Sequence, residues 1–156
     1  MKNSAQLMMV FVFLLSSCLG EIEKYSPIPE VWFKEYRYFD STLVIGFIDG
    51  DGDIGFSIND TINTSSLFLE YYLLNNSDTV LYESENDSID FAIPFLETPT
   101  GNNKTLKGDI EVNIGQDFLI NPEPIDSFLI RFYLIDRSLN ESNADTTPKL
   151  YAYPPM

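Results

Sequence analysis

Residues 106–115 read LKGDIEVNIG, and apolar and polar side chains alternate along this stretch. Ile110, Val112 and Ile114 lie on one face of the predicted strand, and the polar side chains that alternate with them are Asp109, Glu111 and Asn113. A period of two is typical of a β-strand that packs one face on a core and leaves the other face in water. The stretch therefore predicts a half-buried strand.

Residues 128–136, FLIRFYLID, show the same period, with apolar side chains on the second face as well, so this strand is expected to be partly covered on both faces. Similar stretches are VWFKEYRYF (31–39), TLVIGFI (42–48), IGFSI (54–58), LFLEYYLL (67–74), TVLYE (79–83), IDFAIPF (89–95) and PKLYAY (148–153). No stretch after the N-terminal segment has a capped helical repeat, and turn-forming residues separate the apolar runs. The pattern predicts an all-β protein, an antiparallel immunoglobulin-like β-sandwich of about seven to nine strands.

The last predicted hairpin, FLIRFYLIDRSLNESNADTTPKLYAY (128–153), resembles the end of bacterial immunoglobulin-like domains, which carry an Asp-x-Ala-Gly-Asn-x-Ser-like turn. Asp136, Asn140 and Ser142 match that turn, whereas Ser138 and Leu139 stand where Ala and Gly are usual. Together with FIDGDGDIG (47–55), the arrangement resembles small gram-negative envelope lipoproteins of immunoglobulin-like or fibronectin-type-III-like fold. The resemblance implies a fold and a location, but no activity.

The N-terminus has the layout of a secretory signal. Lys2 precedes the nine-residue apolar run LMMVFVFLL (7–15), which is too short for a membrane span of about 20 residues. The following LSSC resembles a bacterial lipobox, in which the cysteine is acylated and becomes the mature N-terminus. We therefore expect residues 1–17 to be a lipoprotein signal peptide and Cys18 to be the lipidation site. An ordinary secretory signal with an incidental Cys18 is the alternative.

Residues 18–29 are short, polar and proline-containing, as expected of a lipidated tether, and residues 30–156 form the predicted sandwich domain. Several acyl chains on Cys18 would make attachment to the lipid bilayer stable. The expected location is the cell envelope, anchored in the outer membrane, and both its periplasmic and its surface face remain open.

The composition excludes several classes of function. The chain has 24 acidic and 9 basic residues and a net charge of −15, which argues against a nucleic-acid partner. It has no His and one Cys, so a Ser-His-Asp or Cys-His catalytic arrangement is impossible. We expect a non-catalytic binding or structural module. A carboxylate-dependent glycoside hydrolase is the enzymatic alternative.

Three kinds of binding role remain open from the sequence. Trp32, Phe33, Tyr36, Tyr38 and Phe39 could form a carbohydrate platform, although strand packing explains the same alternation. An exposed edge strand or loop could bind another envelope protein. The domain could also be a spacer that holds only an ion.

Acceptor triplets for O-glycosylation in some gram-negative envelope proteins resemble DTI (60–62), DTV (78–80) and DSI (87–89). The resemblance marks Thr61, Thr79 and Ser88 as candidate glycosylation sites. Asp-Ser and Asp-Thr pairs are also ordinary turn formers, so a turn is the alternative interpretation.

A metal site is the other candidate, at IDGDGDIGF (48–56), where Asp49, Asp51 and Asp53 alternate with glycine. The spacing matches the first half of an EF-hand loop, but Ile54 stands where that loop needs Gly and Asp60 where it needs Glu. Strands rather than helices flank the loop. An EF-hand is therefore excluded, whereas a loop site between strands is not.

The predicted strand order places a second loop beside this one. If residues 42–48 form the second strand of the sandwich, the loop after them lies at the same end as the loop after residues 128–136. Asp136 and Asn140 would then approach the three aspartates. Such an oxygen-rich cluster suits Ca²⁺ better than Mg²⁺, because calcium accepts six to eight oxygen ligands in flexible geometry. A glycine-rich turn, in which the aspartates cap backbone N–H groups, is the alternative.

Overall fold

The computed structural model describes residues 23–57, 65–74, 80–83, 89–115 and 127–151. Within these ranges the chain is all β, and none of it forms a helix that could cross a membrane. The strands are β1 (Glu30–Arg37), β2 (Thr42–Asp49), β3 (Leu67–Leu74), β4 (Val80–Glu83), β5 (Ile89–Phe91), β6 (Leu106–Asn113), β7 (Ser127–Leu134), β8 (Asp145–Thr146) and β9 (Leu150–Tyr151).

The strands form two antiparallel sheets. One sheet has the order β1-β2-β6. In the other, β3 and β7 are central neighbours, β4 and β5 pair along the free edge of β3, and β8 and β9 pair along the free edge of β7. Pairing of the second strand with the sixth, and of the third with the seventh, gives the crossed connections of an immunoglobulin-like sandwich. The predicted fold class is confirmed.

Both sheets contribute alternating side chains to one core. Strand β2 is buried at every position, whereas β6 alternates between more and less exposed residues, as its sequence predicts. The largest fully buried apolar side chains come from β2, β3, β7 and the loop after β2, and they are Leu43, Ile45, Ile54, Leu67, Leu69, Phe128, Ile130, Phe132 and Leu134. Burial of one such side chain stabilises the fold by about 1.5–3 kcal/mol.

Two predicted strands differ from the structure. Of the predicted strand 54–58, residues 54–57 lie in a loop with one isolated bridge, from Phe56 to Pro94, and Gly55 has a φ of 78° that a strand does not adopt. Strand β5 ends at Phe91 rather than continuing to Phe95. Pro94 lacks the N–H group that a strand would need there.

Side chains take the place of a strand along the second edge of β1. The Val31 backbone N–H donates to Asn143 Oδ1 (2.9 Å), and Asn143 Nδ2 donates to the Val31 carbonyl (2.8 Å). The Phe33 N–H donates to Asp145 Oδ2 (2.7 Å). Sequence analysis missed β8, which consists of only two residues, and these contacts show how Asn143 and Asp145 link the two sheets.

The turn after β7 is tight and contains one residue in a left-handed conformation. Leu139 has a φ of 64°, and its N–H donates to the Asp136 carbonyl (3.1 Å). Ser142 pairs with Leu134 through both its backbone N–H and its hydroxyl group (2.9 Å each). Leu139 therefore occupies, at 63% exposure, a left-handed position that glycine adopts at lower cost.

We expect Leu139→Gly to stabilise the domain by about 0.5–1 kcal/mol. A left-handed conformation costs a non-glycine residue about 1–2 kcal/mol, and the greater freedom of glycine in the unfolded chain offsets part of that gain. Urea unfolding measures the difference. Leu139→Ala is the matched control, because it removes the exposed side chain but keeps the conformational cost. Equal stability of the Gly and Ala variants would contradict the prediction.

Candidate metal centre

Four aspartates from two loops meet at one end of the sandwich. Asp49 is the last residue of β2, Asp51 and Asp53 follow it, and Asp136 follows β7. One carboxylate oxygen from each of the four lies within 4.8 Å of the others. The structure thus brings together the two loops that the strand order places at the same end.

Glycine permits the sharp path of the first loop. Gly52 has a φ of 69°, and a Cβ atom on it would collide with the Lys104 carbonyl. At Gly55, with its φ of 78°, a Cβ atom would collide with the Pro94 carbonyl. Any other residue at these positions would be strained and would also displace the neighbouring backbone. The two glycines therefore fix where the aspartates between β2 and Ile54 lie.

Each aspartate of this loop keeps one buried oxygen without a hydrogen-bond donor. Asp49 is fully buried, and its Oδ2 accepts from the Asp53 N–H (2.9 Å), while Oδ1 has no donor. Asp53 Oδ2 accepts from Ser138 Oγ (2.7 Å), while its Oδ1 has no donor. Asp51 Oδ1 is likewise buried without a donor. Unsatisfied buried oxygens of this kind are rare, and each needs a physical explanation.

Asp136 is held by its own loop. It is fully buried, and it accepts from the Asn140 N–H at Oδ1 (2.7 Å) and from Asn140 Nδ2 at Oδ2 (2.8 Å). The amide nitrogen of Asn140 thus faces Asp136 and orients its carboxylate. Donors of this kind fix the position of metal-binding carboxylates in proteins. Direct ligation of an ion by Asn140 stays a prediction.

Arg137 ties the two loops together. Its guanidinium group donates to the carbonyls of Ile54 (2.8 Å), Gly55 (3.0 Å) and Leu96 (3.1 Å), and its backbone N–H donates to the Asp53 carbonyl (3.0 Å). Sequence analysis missed this residue. The carbonyl groups that Arg137 binds are far away in sequence, so the sequence pointed to Arg137 only through its position beside Asp136.

The carboxylate cluster has no cationic side chain as a partner among the described residues. The ion pairs of that part of the chain lie elsewhere, and they are Lys34–Asp109, Arg37–Glu35, Arg37–Glu111 and Arg131–Glu70. The negative charge of the four aspartates is therefore not compensated by Lys or Arg there. Close carboxylates repel one another strongly when they are partly removed from water.

Burial and repulsion shift the titration of these groups. Removal from water raises the pKa of Asp49 to about 7, the hydrogen bond from the Asp53 N–H opposes that rise, and the charges of the other three aspartates add to it. Burial is also the largest cause that raises the pKa of Asp51 and of Asp136. Either a proton or a cation is needed to relieve the cluster near neutral pH.

The aromatic residues of β1 and the following turn do not form one flat platform. Trp32 packs across Gly46 of β2, where a Cβ atom would collide with the indole ring. Phe33, Tyr36 and Tyr38 pack against the core, and the Tyr36 ring meets the Tyr38 ring edge-on at 4.9 Å between centroids. This arrangement favours strand packing as their role. Phe39, the fifth member of the predicted platform, is 85% exposed.

Four of the predicted site residues lie outside the described residues. They are the lipidation site Cys18 and the glycosylation candidates Thr61, Thr79 and Ser88. Lipidation and glycosylation therefore stay predictions from the sequence.

Comparison with known proteins gives no relative. No protein family, no curated protein and no solved structure matches this chain.

We expect the ion-free protein to lose stability as the pH rises from about 4 to above 7. The raised pKa of Asp49 means that the folded state holds a proton that the unfolded chain, at the ordinary value of 3.8, releases in this window. Asp49→Asn imitates the protonated form, keeps an acceptor for the Asp53 N–H, and removes this contribution. Urea unfolding in EDTA at pH 5 and pH 8 measures how the free energy of unfolding changes with pH in the wild type and in Asp49→Asn.

The loss of stability between pH 5 and pH 8 should be smaller in Asp49→Asn than in the wild type. The variant should also be the more stable protein at pH 8. Asp109→Asn is the matched control, because Asp109 is exposed and lies outside the cluster. A slope that Asp49→Asn leaves unchanged would show that Asp49 is ionised in both states across this pH range.

Proposed function

We propose that this chain is a non-catalytic envelope lipoprotein whose β-sandwich binds Ca²⁺ at Asp49, Asp51, Asp53 and Asp136 and is anchored to the bilayer through Cys18. The observation that carries the calcium site is the set of three buried carboxylate oxygens without donors. A buried carboxylate oxygen without a partner is costly, and a bound cation removes that cost.

The separation of the oxygens supports a single ion. Calcium binds oxygen at about 2.3–2.6 Å, so two ligands on opposite sides of one ion lie about 5 Å apart. The four carboxylates offer one oxygen each within 4.8 Å of one another. Four side chains of one kind, without a His or Cys, also favour a hard cation over zinc. Backbone carbonyls and water would complete a coordination of six to eight.

The local hydrogen bonds support preformed ligands. Ser138 and the Asp53 N–H each bind one carboxylate oxygen and leave the other oxygen of the same group free. Asn140 orients Asp136 by donating one hydrogen bond to each of its oxygens. An affinity of about 10⁻⁴–10⁻³ M, as in other extracellular calcium modules, suits an envelope protein.

A catalytic role has less support. Inverting glycoside hydrolases need two carboxylates about 6.5–9.5 Å apart, and retaining ones about 5–5.5 Å apart across a cleft. The four clustered aspartates lie closer together, and Asp49 and Asp136 are fully buried. The carbohydrate-binding alternative would need an exposed aromatic surface, and most of the aromatic residues considered for it pack within the fold.

We expect 5 mM Ca²⁺ to stabilise the wild-type protein by about 1–2 kcal/mol relative to EDTA, which corresponds to a rise of a few degrees in Tm. The double variant Asp51→Ala/Asp53→Ala should lose that rise, because two ligands are gone. Thermal melting followed by circular dichroism measures it. Asp109→Ala/Glu111→Ala is the matched control, since it removes two exposed carboxylates of β6. Identical wild-type melting curves in both buffers would refute calcium binding.

We expect Cys18→Ala to move the protein from the membrane fraction to the soluble fraction and to abolish labelling by a fatty-acid analogue. Acyl chains on Cys18 would be the only anchor removed by this change. The calcium-dependent melting should remain unchanged, which shows that the domain is folded. A soluble wild-type protein that retains residues 1–17 would contradict the lipoprotein assignment.

A further inference from the structure

The last residues of the predicted tether lie against the acidic loop. The Gly50 N–H donates to the Ser26 carbonyl (2.8 Å), and Asn140 Nδ2 donates to the Pro27 carbonyl (3.4 Å). Pro29 is fully buried. Residues 25–29, here called the docked segment, are therefore held against the sandwich by hydrogen bonds to the backbone carbonyls of Ser26 and Pro27 and by the burial of Pro29, while residues 25–28 keep an exposed face.

The docked segment explains why residue 50 is glycine. A Cβ atom on Gly50 would collide with the carbonyls of Tyr25 and Ser26. Unlike Gly52 and Gly55, Gly50 does not have a positive φ, so its backbone conformation would accept alanine. The close approach of residues 25 and 26 is thus the constraint at this position.

The groups that bind the docked segment also position the carboxylates. Gly50 lies between Asp49 and Asp51, and Asn140 donates to both oxygens of Asp136. Asp49 is fully buried, keeps one oxygen without a donor, and contributes one carboxylate oxygen to the four-aspartate cluster. An ion that fixes these four carboxylates also fixes the two donors that bind the docked segment.

We infer that calcium binding and docking of residues 25–29 stabilise each other, so that ion occupancy sets how far the domain stands from its lipid anchor. This inference rests on the calcium site proposed above. Two events that need the same arrangement of Gly50 and Asn140 are thermodynamically linked, and the linkage is reciprocal.

The length of the tether limits how far the domain can lie from its lipid anchor. A chain extends at most about 3.5 Å per residue, so docking at Ser26 keeps that residue within about 28 Å of Cys18. If the docked segment is released, the first residue fixed on the sandwich is Glu30, at the start of β1, and it can lie up to about 42 Å from Cys18. The docked state therefore holds the acidic end of the sandwich near the anchored terminus.

Cleavage after Lys24 reports docking, because Lys24 is exposed and directly precedes the docked segment. A protease must bind several residues on both sides of the bond in an extended form, which docking at residues 25–29 prevents. Full-length acylated protein in detergent is treated with a lysine-specific protease in 5 mM CaCl₂ and in EDTA. A synthetic peptide of residues 19–28 in the same buffers corrects for the effect of calcium on the protease. We expect calcium to slow this cleavage at least fivefold in the wild type.

Gly50→Ala tests the reciprocal effect, because its methyl group displaces the docked segment and leaves all four aspartates in place. This variant should be cleaved rapidly in both buffers. Its calcium affinity, measured by isothermal titration, should fall by the factor by which calcium slows wild-type cleavage. Gly108→Ala on β6 is the matched control, since its Cβ atom would meet the Phe47 ring at 3.2 Å, away from the docked segment. It should behave as the wild type does.

The outcomes separate the two proposals. If calcium raises the wild-type Tm but leaves cleavage after Lys24 unchanged, the linkage is wrong and the calcium site stands. If Gly50→Ala binds calcium as tightly as the wild type while its tether is released, the linkage is also wrong. If the wild type does not bind calcium at all, both proposals fail. Circular dichroism of Gly50→Ala verifies that the variant is folded.

Discussion

The burial of Asp49 is the constraint on which this end of the molecule depends. Strand β2 is buried along its whole length, and it ends on a carboxylate that is fully removed from water. A buried carboxylate needs donors, a proton or a cation. The Asp53 N–H satisfies one oxygen of Asp49 and the other oxygen has no donor, while the carboxylate lies in a cluster with three further aspartates. The loop after β2 and the turn after β7 supply the three carboxylates that lie beside Asp49.

This arrangement also links the two sheets. Asp49 extends β2 in the first sheet, whereas Asp136 and Arg137 follow β7 in the second. Arg137 donates to the carbonyls of Ile54 and Gly55, which lie in the loop after β2. An ion shared by Asp49 and Asp136 would add a second connection at the same place. The proposed calcium site therefore lies where it would resist separation of the sheets.

The strands were predictable where burial alone sets the pattern. The stretch at residues 67–74 predicts β3 with its observed bounds, because alternate residues face a core that covers them. Ile54 and Phe56 produce the same alternating signal, yet they lie in a loop, because Gly55 has a positive φ and Arg137 binds the loop carbonyls. Contacts between residues far apart in sequence decide that residues 54–56 form a loop. A local sequence pattern carries no information about such contacts.

The candidate site was also predictable only in part, because some of its contacts join residues that are far apart in sequence. Strand order places the loops of Asp49 and Asp136 at one end, so the convergence of the aspartates follows from the fold class. The donors that bind one oxygen of Asp49 and of Asp53 and leave the other without a partner do not follow from it. Ser138, for example, reaches Asp53 from a tight turn in which the next residue, Leu139, is left-handed, and the sequence does not show that conformation.

The alternation of Asp and Gly in residues 49–53 has more than one physical cause, and this bears on whether the loop is only a turn. A turn accounts for Gly52, whose φ is positive, and for the Asp49 oxygen that caps the Asp53 N–H. It does not account for Gly50, which is constrained by the carbonyls of Tyr25 and Ser26. Nor does it account for the three buried oxygens without donors, since capping groups on a solvated turn would have water as a partner. In the proposed calcium site, capping would use one oxygen of Asp49 and ligation the other, so a turn and an ion site are compatible in the same loop.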